Sequence, residues 1–194
     1  ADLLIRAYVR SYDFPAVISR CSNNYGPYQF PEKFLPLFIT NALDDQSLPL
    51  YGDGQQIRDW IHVEDHARAL LRILEHGSIG EIYNISAGQE ETNEAMALRV
   101  LDVLGKPASL IRHIEDRPGH DRRYGLDAAK IHSELGWKPA IVLEEGLQST
   151  IAWYRNHRDW WGRIKTGEYR SYYERWYGKR LAIDGLLVSP SGRK

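Results

Sequence analysis

The spacing of hydrophobic and polar positions predicts an alternation of helices and strands along this chain. Leu3, Leu4, Ala7 and Tyr8 recur at helical spacing, so a helix occupies the first dozen residues. The apolar run 16–21 follows a turn and indicates a buried, parallel strand. Further helices are predicted at 34–43, 64–75, 95–104 and 143–157, with a short one between Asp127 and Gly136, and further strands at 48–51, 56–63, 81–86 and 109–114.

Two details of this pattern concern the organisation of the fold. In the helix at 64–75 the apolar residues Ala67, Leu70, Leu71 and Leu74 are expected to face the core, and Gly77 lies just past the helix end. Residues 22–31 are rich in Asn, Gly, Pro and Tyr, which predicts a loop at the carboxyl end of the first strand. Strands that alternate with helices indicate the α/β class.

Composition and charge exclude several classes of protein. The 194 residues carry 25 Lys plus Arg and 26 Asp plus Glu, a net charge of −1, so we expect neither a nucleic-acid nor a membrane partner. The one cysteine, Cys21, excludes an internal disulfide framework and predicts a reducing, cytoplasmic location. The start lacks a signal-peptide layout and an initiator Met, so the chain is expected to be part of a longer product.

Two segments offer ligand contacts next to predicted elements. The loop 22–28 follows a buried strand, and ligands of open parallel sheets bind outside the carboxyl ends of the strands. The alternative is an Asn-rich connector that binds no ligand. The segment 30–34 opens a helix, where free N–H groups and Lys33 suit a phosphate. The alternative there is a plain helix start with a solvated pair of Glu32 and Lys33.

Cationic residues in two further segments need anionic partners. Arg58 lies within a strand pattern, and its partner is either Asp59, another protein carboxylate, or a bound diphosphate that the guanidinium grips with two hydrogen bonds. The Pro-Gly loop 116–123 holds three Arg residues and His120. It is either a solvated charged loop or, together with Arg58, an anion pocket.

Other motifs carry little functional signal. His62 and His66 have the i, i+4 spacing of helical zinc sites, but no third ligand is evident, so no metal is expected. The Gly-Asp-Gly at 52–54 lacks the third glycine of a dinucleotide fingerprint. Cys21 is interpreted as a small buried hydrophobe and not as a nucleophile. The abundant Trp and Tyr residues are assigned mostly to the core, although they could also form a carbohydrate-binding surface.

The segment 20–33, Arg-Cys-Ser-Asn-Asn-Tyr-Gly-Pro-Tyr-Gln-Phe-Pro-Glu-Lys, resembles the signature of dTDP-glucose 4,6-dehydratases. These are extended short-chain dehydrogenase/reductase enzymes. Stretches that resemble the same family follow in the same order, and the likeness covers about residues 1–178; the stretches are 48–54, 58–60, 63–66, 83–85 and 116–121. Related UDP-sugar decarboxylases and epimerases share the Asn-x-Tyr-Gly-Pro core but usually not the Phe-Pro-Glu-Lys continuation.

The resemblance implies an α/β fold made of the last strands of a Rossmann-like parallel sheet and a smaller α/β substrate-binding domain. Residues 1–29 would belong to the NAD-binding Rossmann domain. Residues 30–178 would form mainly the nucleotide-sugar-binding domain, with 64–87 returning to the Rossmann sheet. Residues 179–194 would be a tail.

The family converts dTDP-glucose to dTDP-4-keto-6-deoxyglucose. NAD⁺ takes a hydride from the sugar C4, water is lost across C5 and C6, and the hydride returns to C6. The family's catalytic Tyr-x-x-x-Lys, Asp-Glu pair and Gly-rich NAD fingerprint have no counterpart here, so the chain alone is expected to hold no catalytic residue and to be inactive. We also expect exposed apolar surface and self-association, and in the intact enzyme a homodimer whose interface includes the first helix. Two alternatives remain: a non-catalytic nucleotide-sugar-binding fragment, and a related CDP- or UDP-sugar dehydratase or decarboxylase.

The resemblance also implies roles for individual residues. Asn24 would contact the sugar or diphosphate. The nucleotide would be bordered by Lys33, Phe34, Pro49, Leu50, Tyr51 and Asn84, with Tyr177 on its C-terminal side. The phosphates would be bound by Arg58, Arg117 and His120, and the nicotinamide of NAD would be bordered by Cys21 and Asn23.

Overall fold

The computed structural model describes residues 1–166, 168–178 and 181. Apart from residue 181, the predicted tail 179–194 lies outside the described residues. The chain divides into two compact units, the first made of 1–27, 57–92 and 121–150 and the second of 28–56, 93–120 and the described part of 151–194. The first unit takes up more of the chain than the segments 1–29 and 64–87 expected to belong to the Rossmann domain. The assignment of cofactor and substrate to separate domains stays a prediction.

The predicted helices and strands are present within a few residues of their expected bounds. The helices are α1 (Asp2–Tyr12), α2 (Phe34–Leu43), α3 (Val63–His76), α4 (Asn93–Leu104), α5 (Ala129–Leu135), α6 (Leu143–Asn156), α7 (Arg158–Ile164) and α8 (Glu168–Tyr173). The strands are β1 (Ile18–Cys21), β2 (Asn23–Tyr25), β3 (Leu48–Tyr51), β4 (Ile57–His62), β5 (Ile82–Ile85), β6 (Glu90–Thr92), β7 (Ile111–Ile114) and β8 (Arg123–Tyr124). No helix in the described ranges has the length and apolar character needed to cross a membrane.

The first unit contains two small sheets. Strands β1 and β5 pair in parallel, with Ile18 opposite Ile82 and Cys21 opposite Ile85. In the other sheet β4 pairs in parallel with β2 and β8 and antiparallel with β6. The expectation of an irregular loop at 22–31 was wrong for residues 23–25, which form β2. Two asparagines give this segment a low strand propensity, but the non-local partner β4 supplies its hydrogen bonds.

The buried face of α3 differs from the predicted one. Leu74 is 82% exposed, and Ala67, Leu70 and Leu71 also lie at the surface. The buried positions are Asp65, Ala69 and Ile73, which follow one another at a spacing of four. The buried carboxylate of Asp65 accepts hydrogen bonds from the backbone amides of Ala140 and Ile141, both at 2.9 Å, and these bonds compensate its loss of water.

Helix α1 carries most of the exposed apolar surface near the start of the chain. None of its residues is buried, and Leu3 is 82% exposed. Leu4, Tyr8 and Tyr12 are exposed as well. The expected exposure of apolar surface is therefore confirmed, while self-association stays a prediction.

The second unit is built on a pair of parallel strands and two helices. Leu48 of β3 lies opposite Ile111 of β7, and Tyr51 lies opposite Ile114. Helix α2 is buried along nearly its whole length. Its residues Leu37 and Phe38 pack in one hydrophobic cluster with β3, α4 and Tyr177. Since the two strands are parallel, their carboxyl ends lie at the same edge, where the segment after β7 begins.

Candidate functional site

In the second unit, predicted nucleotide-binding residues from distant parts of the sequence meet around one hydrophobic cluster. The ring of Tyr51, at the end of β3, meets the edge of His120 with ring centroids 6.0 Å apart, and it lies 6.2 Å from the ring of Tyr177. Phe34 and Tyr51 pack against the cluster that contains Tyr177. The structure thus brings Phe34, Tyr51, His120 and Tyr177 together.

A carboxylate organises the loop that follows β7. Asp116 Oδ1 accepts a hydrogen bond from the amide of Arg117 at 2.8 Å and from His120 Nδ1 at 2.6 Å, and Oδ2 accepts one from Gln56 Nε2 at 3.0 Å. Burial opposes ionisation of Asp116, but the bonds from His120, Arg117 and Gln56 outweigh it and lower the pKa of this carboxyl. His120 is thereby fixed, with only 7% of its side chain exposed. A Cβ at Gly52, where φ is +57°, would lie 2.9 Å from Asp116 Oδ2, so this position needs glycine.

Arg58 in the first unit is held by backbone carbonyls. It is 8% exposed, and it donates from Nη1 to the carbonyl of Ile57 at 2.7 Å and from Nη2 to that of Asp121 at 2.9 Å. Asp59 points to the opposite face of β4, as strand geometry requires, and accepts hydrogen bonds from the Ser86 hydroxyl and, at 2.9 Å, from the amide of Gln89. These two hydrogen bonds orient the guanidinium. Arg117 is exposed and belongs to the other unit, so joint binding of a diphosphate by Arg58 and Arg117 stays a prediction.

The Asn-rich loop is fastened to the first turn of α3. Asn24 donates from Nδ2 to the carbonyl of Ser22 at 3.1 Å and to Cys21 Sγ at 3.3 Å, and its Oδ1 lies 2.8 Å from His66 Nδ1. The ring of Tyr25 meets His62 edge-on at a centroid distance of 5.3 Å. Burial raises the pKa of Tyr25 and lowers the pKa of both histidines, so all three side chains are neutral near pH 7.

The histidine pair therefore has a structural explanation. His62 and His66 contact the loop and do not converge on a common point with a third ligand. Within the described ranges no group of three His, Cys, Asp or Glu side chains is placed to hold a metal ion.

The remaining predicted site residues range from exposed to fully buried. Lys33 is exposed and pairs with Glu32 at 3.2 Å, which is the arrangement of a plain helix start. Asn84 donates to the carbonyl of Asp127 at 3.2 Å, and its Oδ1 is buried with no hydrogen-bond partner among residues that the structure describes. Pro49 and Leu50 are buried, and Leu50 belongs to the hydrophobic cluster. Cys21 and Asn23 are half-buried at the end of β1 and on β2.

Several residues that hold the site in place were missed by sequence reasoning. Gln89 donates to the carbonyl of Ile141 at 3.1 Å and accepts a hydrogen bond from the amide of Leu143. Together with Asp65, it fixes the segment that leads into α6. An Asp within the strand pattern 57–62 is a signal that could have found Asp59. Asp65 has polar neighbours in the sequence and gives no such local signal.

The family model described as GDP-mannose 4,6 dehydratase matches residues 1–150. The chain belongs to this family. Individual proteins with a known name are also similar in sequence to this chain. The dTDP-glucose 4,6-dehydratase of Neisseria meningitidis serogroup B is 48% identical over 181 residues, which are 88% of this chain and 51% of that protein.

Solved structures agree with the family assignment. DesIV of Streptomyces venezuelae, a dTDP-glucose 4,6-dehydratase crystallised with NAD, matches with a TM-score of 0.83 at 50% identity, over 84% of this chain and 51% of that one. UDP-glucose 4-epimerase of Thermotoga maritima matches with a TM-score of 0.76 at 28% identity, over 80% and 50% of the two chains. The chain thus spans about half the length of these relatives. The predicted resemblance and the predicted α/β, extended short-chain dehydrogenase/reductase fold are confirmed.

Proposed function

We propose that this chain is the nucleotide-sugar-binding portion of a dTDP-glucose 4,6-dehydratase. The observation that carries the proposal is the meeting of Phe34, Tyr51, His120 and Tyr177 in the second unit. The family resemblance assigns those four positions to the nucleotide and its diphosphate, and they lie far apart in the sequence. The names of the relatives, at 46–50% identity, support dTDP-glucose as the substrate.

In this proposal the residues of the chain bind and orient the substrate. Aromatic side chains such as Tyr51 offer flat faces to a thymine ring, and the edge-on contact with Tyr51 together with the bond to Asp116 fixes the His120 imidazole. The guanidinium of Arg58 is pre-oriented by two carbonyls and binds a phosphate. The loss of water from the sugar would depend on the Asp-Glu pair that the family resemblance implies, which has no counterpart among these residues.

The relatives' structures imply NAD as the cofactor. When bound, NAD⁺ supplies the hydride acceptor for the sugar C4. Within this chain, Cys21 and Asn23 would border the nicotinamide end: the Cys21 thiol accepts a hydrogen bond from Asn24, and Asn23 is half-buried on β2. None of the 194 residues forms a Gly-x-x-Gly-x-x-Gly or Tyr-x-x-x-Lys pattern.

We further propose a homodimer and a cytoplasmic location for the complete protein. The exposed Leu3, Leu4 and Tyr8 of α1 form an apolar face suited to a protein interface. A single cysteine suits a reducing compartment. Sedimentation of the complete protein tests the dimer, and a monomer at micromolar concentration would contradict it.

The test of the proposed function is turnover by the complete natural protein. Incubated with dTDP-glucose and NAD⁺, it is expected to yield a sugar nucleotide that is lighter by one water, detected by mass spectrometry. Competition between dTDP, UDP and CDP for the site decides the base. Preferential binding of UDP or CDP would favour a sister dehydratase or decarboxylase, and tight dTDP binding without turnover would favour a non-catalytic nucleotide-sugar-binding protein.

A further inference from the structure

The carboxamide of Asn24 uses its hydrogen-bonding groups inside the protein. Its Nδ2 has two protons, one directed to the carbonyl of Ser22 at 3.1 Å and one to Cys21 Sγ at 3.3 Å. Its Oδ1 lies 2.8 Å from His66 Nδ1. Asn24 could donate a hydrogen bond to a sugar or diphosphate only by giving up one of these internal bonds.

The three contacts also decide which atoms of Asn24 and His66 carry protons. A backbone carbonyl only accepts, so the atom of Asn24 that faces Ser22 is the amide nitrogen. The oxygen therefore faces His66, and since a carboxamide oxygen only accepts, the proton lies on His66 Nδ1. Burial lowers the pKa of His66, which favours the neutral ring, protonated at Nδ1 and with Nε2 as an acceptor.

Two neighbouring contacts fasten the same loop to the start of α3. The ring of Tyr25 is buried against His62. At Gly26, where φ is +143°, a Cβ would lie 2.7 Å from Val63 Cγ1, so the loop approaches the helix closely. With His66 on Asn24, the N-cap and first turn of α3 contact three successive residues: Asn24 and Tyr25 of β2, and Gly26.

We infer that His66 and Asn24 are a positioning pair, in which the helix sets the conformation of residues 21–26 through the Asn24 carboxamide. The functional consequence rests on the proposed function: Cys21 and Asn23, which border the reacting end of the ligands there, are held in place through Asn24. Asn24 then acts through the loop and not by contact with the substrate.

A double-mutant cycle on the complete protein, measured as kcat/KM for dTDP-glucose, separates positioning from direct contact. We expect His66→Ala to lower kcat/KM about tenfold, the effect of one hydrogen bond, and Asn24→Ala to lower it at least as much, because it also loses the bonds to Ser22 and Cys21. The double variant is expected to lose no more than Asn24→Ala. His66→Gln keeps a donor and is expected to recover part of the loss. His76→Ala, at the exposed end of the same helix, is the control.

Two outcomes would overturn the inference. One is full additivity of the two losses in the double variant, because Asn24 and His66 would then act independently of each other. The other is a lower melting temperature of His66→Ala with unchanged kcat/KM, because His66 would then be structural only.

The ring nitrogens of His66 give a readout that does not depend on activity. In ¹⁵N NMR spectra of the wild-type protein near pH 7, we expect the proton on Nδ1, and a shift toward the other tautomer in Asn24→Ala. A proton on Nε2 in the wild type would refute the pair whatever the protein catalyses. If no sugar nucleotide is turned over, the proposed function fails, and the NMR measurement still decides the pairing.

Discussion

Replacement of Lys165 by methionine is expected to change how stability depends on pH. Lys165 follows α7 in the second unit, and its Nζ donates to Thr40 Oγ1 at 3.2 Å and Asn41 Oδ1 at 3.0 Å. Both partners are fully buried and uncharged, and the ammonium lies 5.4 Å from the centre of the Trp161 ring. Burial lowers the pKa of Lys165 to about 8, a nearby Asp44 opposes the shift, and Arg158 adds to it.

The magnitude follows from the shift in the pKa of Lys165. In the unfolded chain the amine has an ordinary pKa of 10.5, so between pH 8 and 10.5 the unfolded state binds a proton that the native state does not. Stability therefore rises with pH across this window. Below pH 8 the native state carries the full cost of the buried charge, which is at most about 3 kcal/mol. Methionine removes that cost and also removes the two hydrogen bonds, each worth about 1 kcal/mol.

The assay is chemical denaturation of the complete wild-type and Lys165→Met proteins between pH 7 and 10.5. At pH 7 the variant is expected to be the more stable, and by pH 10.5 the wild type should have overtaken it. The exposed Lys130→Met, which removes a lysine paired with Glu81, is the control and should show no such crossing. A difference between wild type and Lys165→Met that is constant over this range would refute the reasoning.

Three further substitutions test other parts of the structure. Arg58→Ala in the complete protein is expected to weaken dTDP binding by roughly 10–150-fold in a calorimetric titration, with Arg58→Lys restoring only part; an unchanged Kd would contradict the assignment. Gly146→Ala is expected to lower the free energy of unfolding, measured by chemical denaturation, by about 1–3 kcal/mol, because its Cβ would collide with the buried Tyr25 hydroxyl. An unchanged free energy of unfolding would show that residue 146 and Tyr25 can move apart. Asp65→Asn should lower the free energy of unfolding by about 1–3 kcal/mol, since one of the two backbone amides bound to Asp65 loses its acceptor. The E64Q variant, at an exposed position, should leave the free energy of unfolding unchanged.

Elements with a strong local signal could be predicted from the sequence. Helix α2 has the bounds predicted from the sequence, and Gly105 and Gly136 end their helices in the left-handed conformation, with φ of +64° and +65°. The short helix predicted between Asp127 and Gly136 is α5, and at its start Asp127 Oδ1 accepts a hydrogen bond from the amide of Ala129 at 2.8 Å. These features depend on residues that are close in sequence.

The features that the sequence did not predict depend on contacts between residues far apart in the chain. The segment that forms β2 contains two asparagines and becomes a strand only because β4 is beside it. On α3 two apolar stripes compete, and the hydrogen bonds of Asp65 to residues some 75 positions later decide which is buried. In the site, the family resemblance identified Tyr51, His120 and Tyr177, but no local pattern shows that their rings meet.

In each unit, the side chains predicted to bind the ligand are already oriented by other groups of the protein. Arg58 is held by two carbonyls, His120 by Asp116, and the loop at Asn24 by His66. Side chains fixed before the ligand arrives lose little conformational entropy on binding, which preserves the interaction energy for affinity. Substitution of a holding residue such as Asp116 should therefore weaken binding by releasing His120. Such losses should be smaller than those from the contacting residue, because the released side chain can still reach the ligand at an entropic cost.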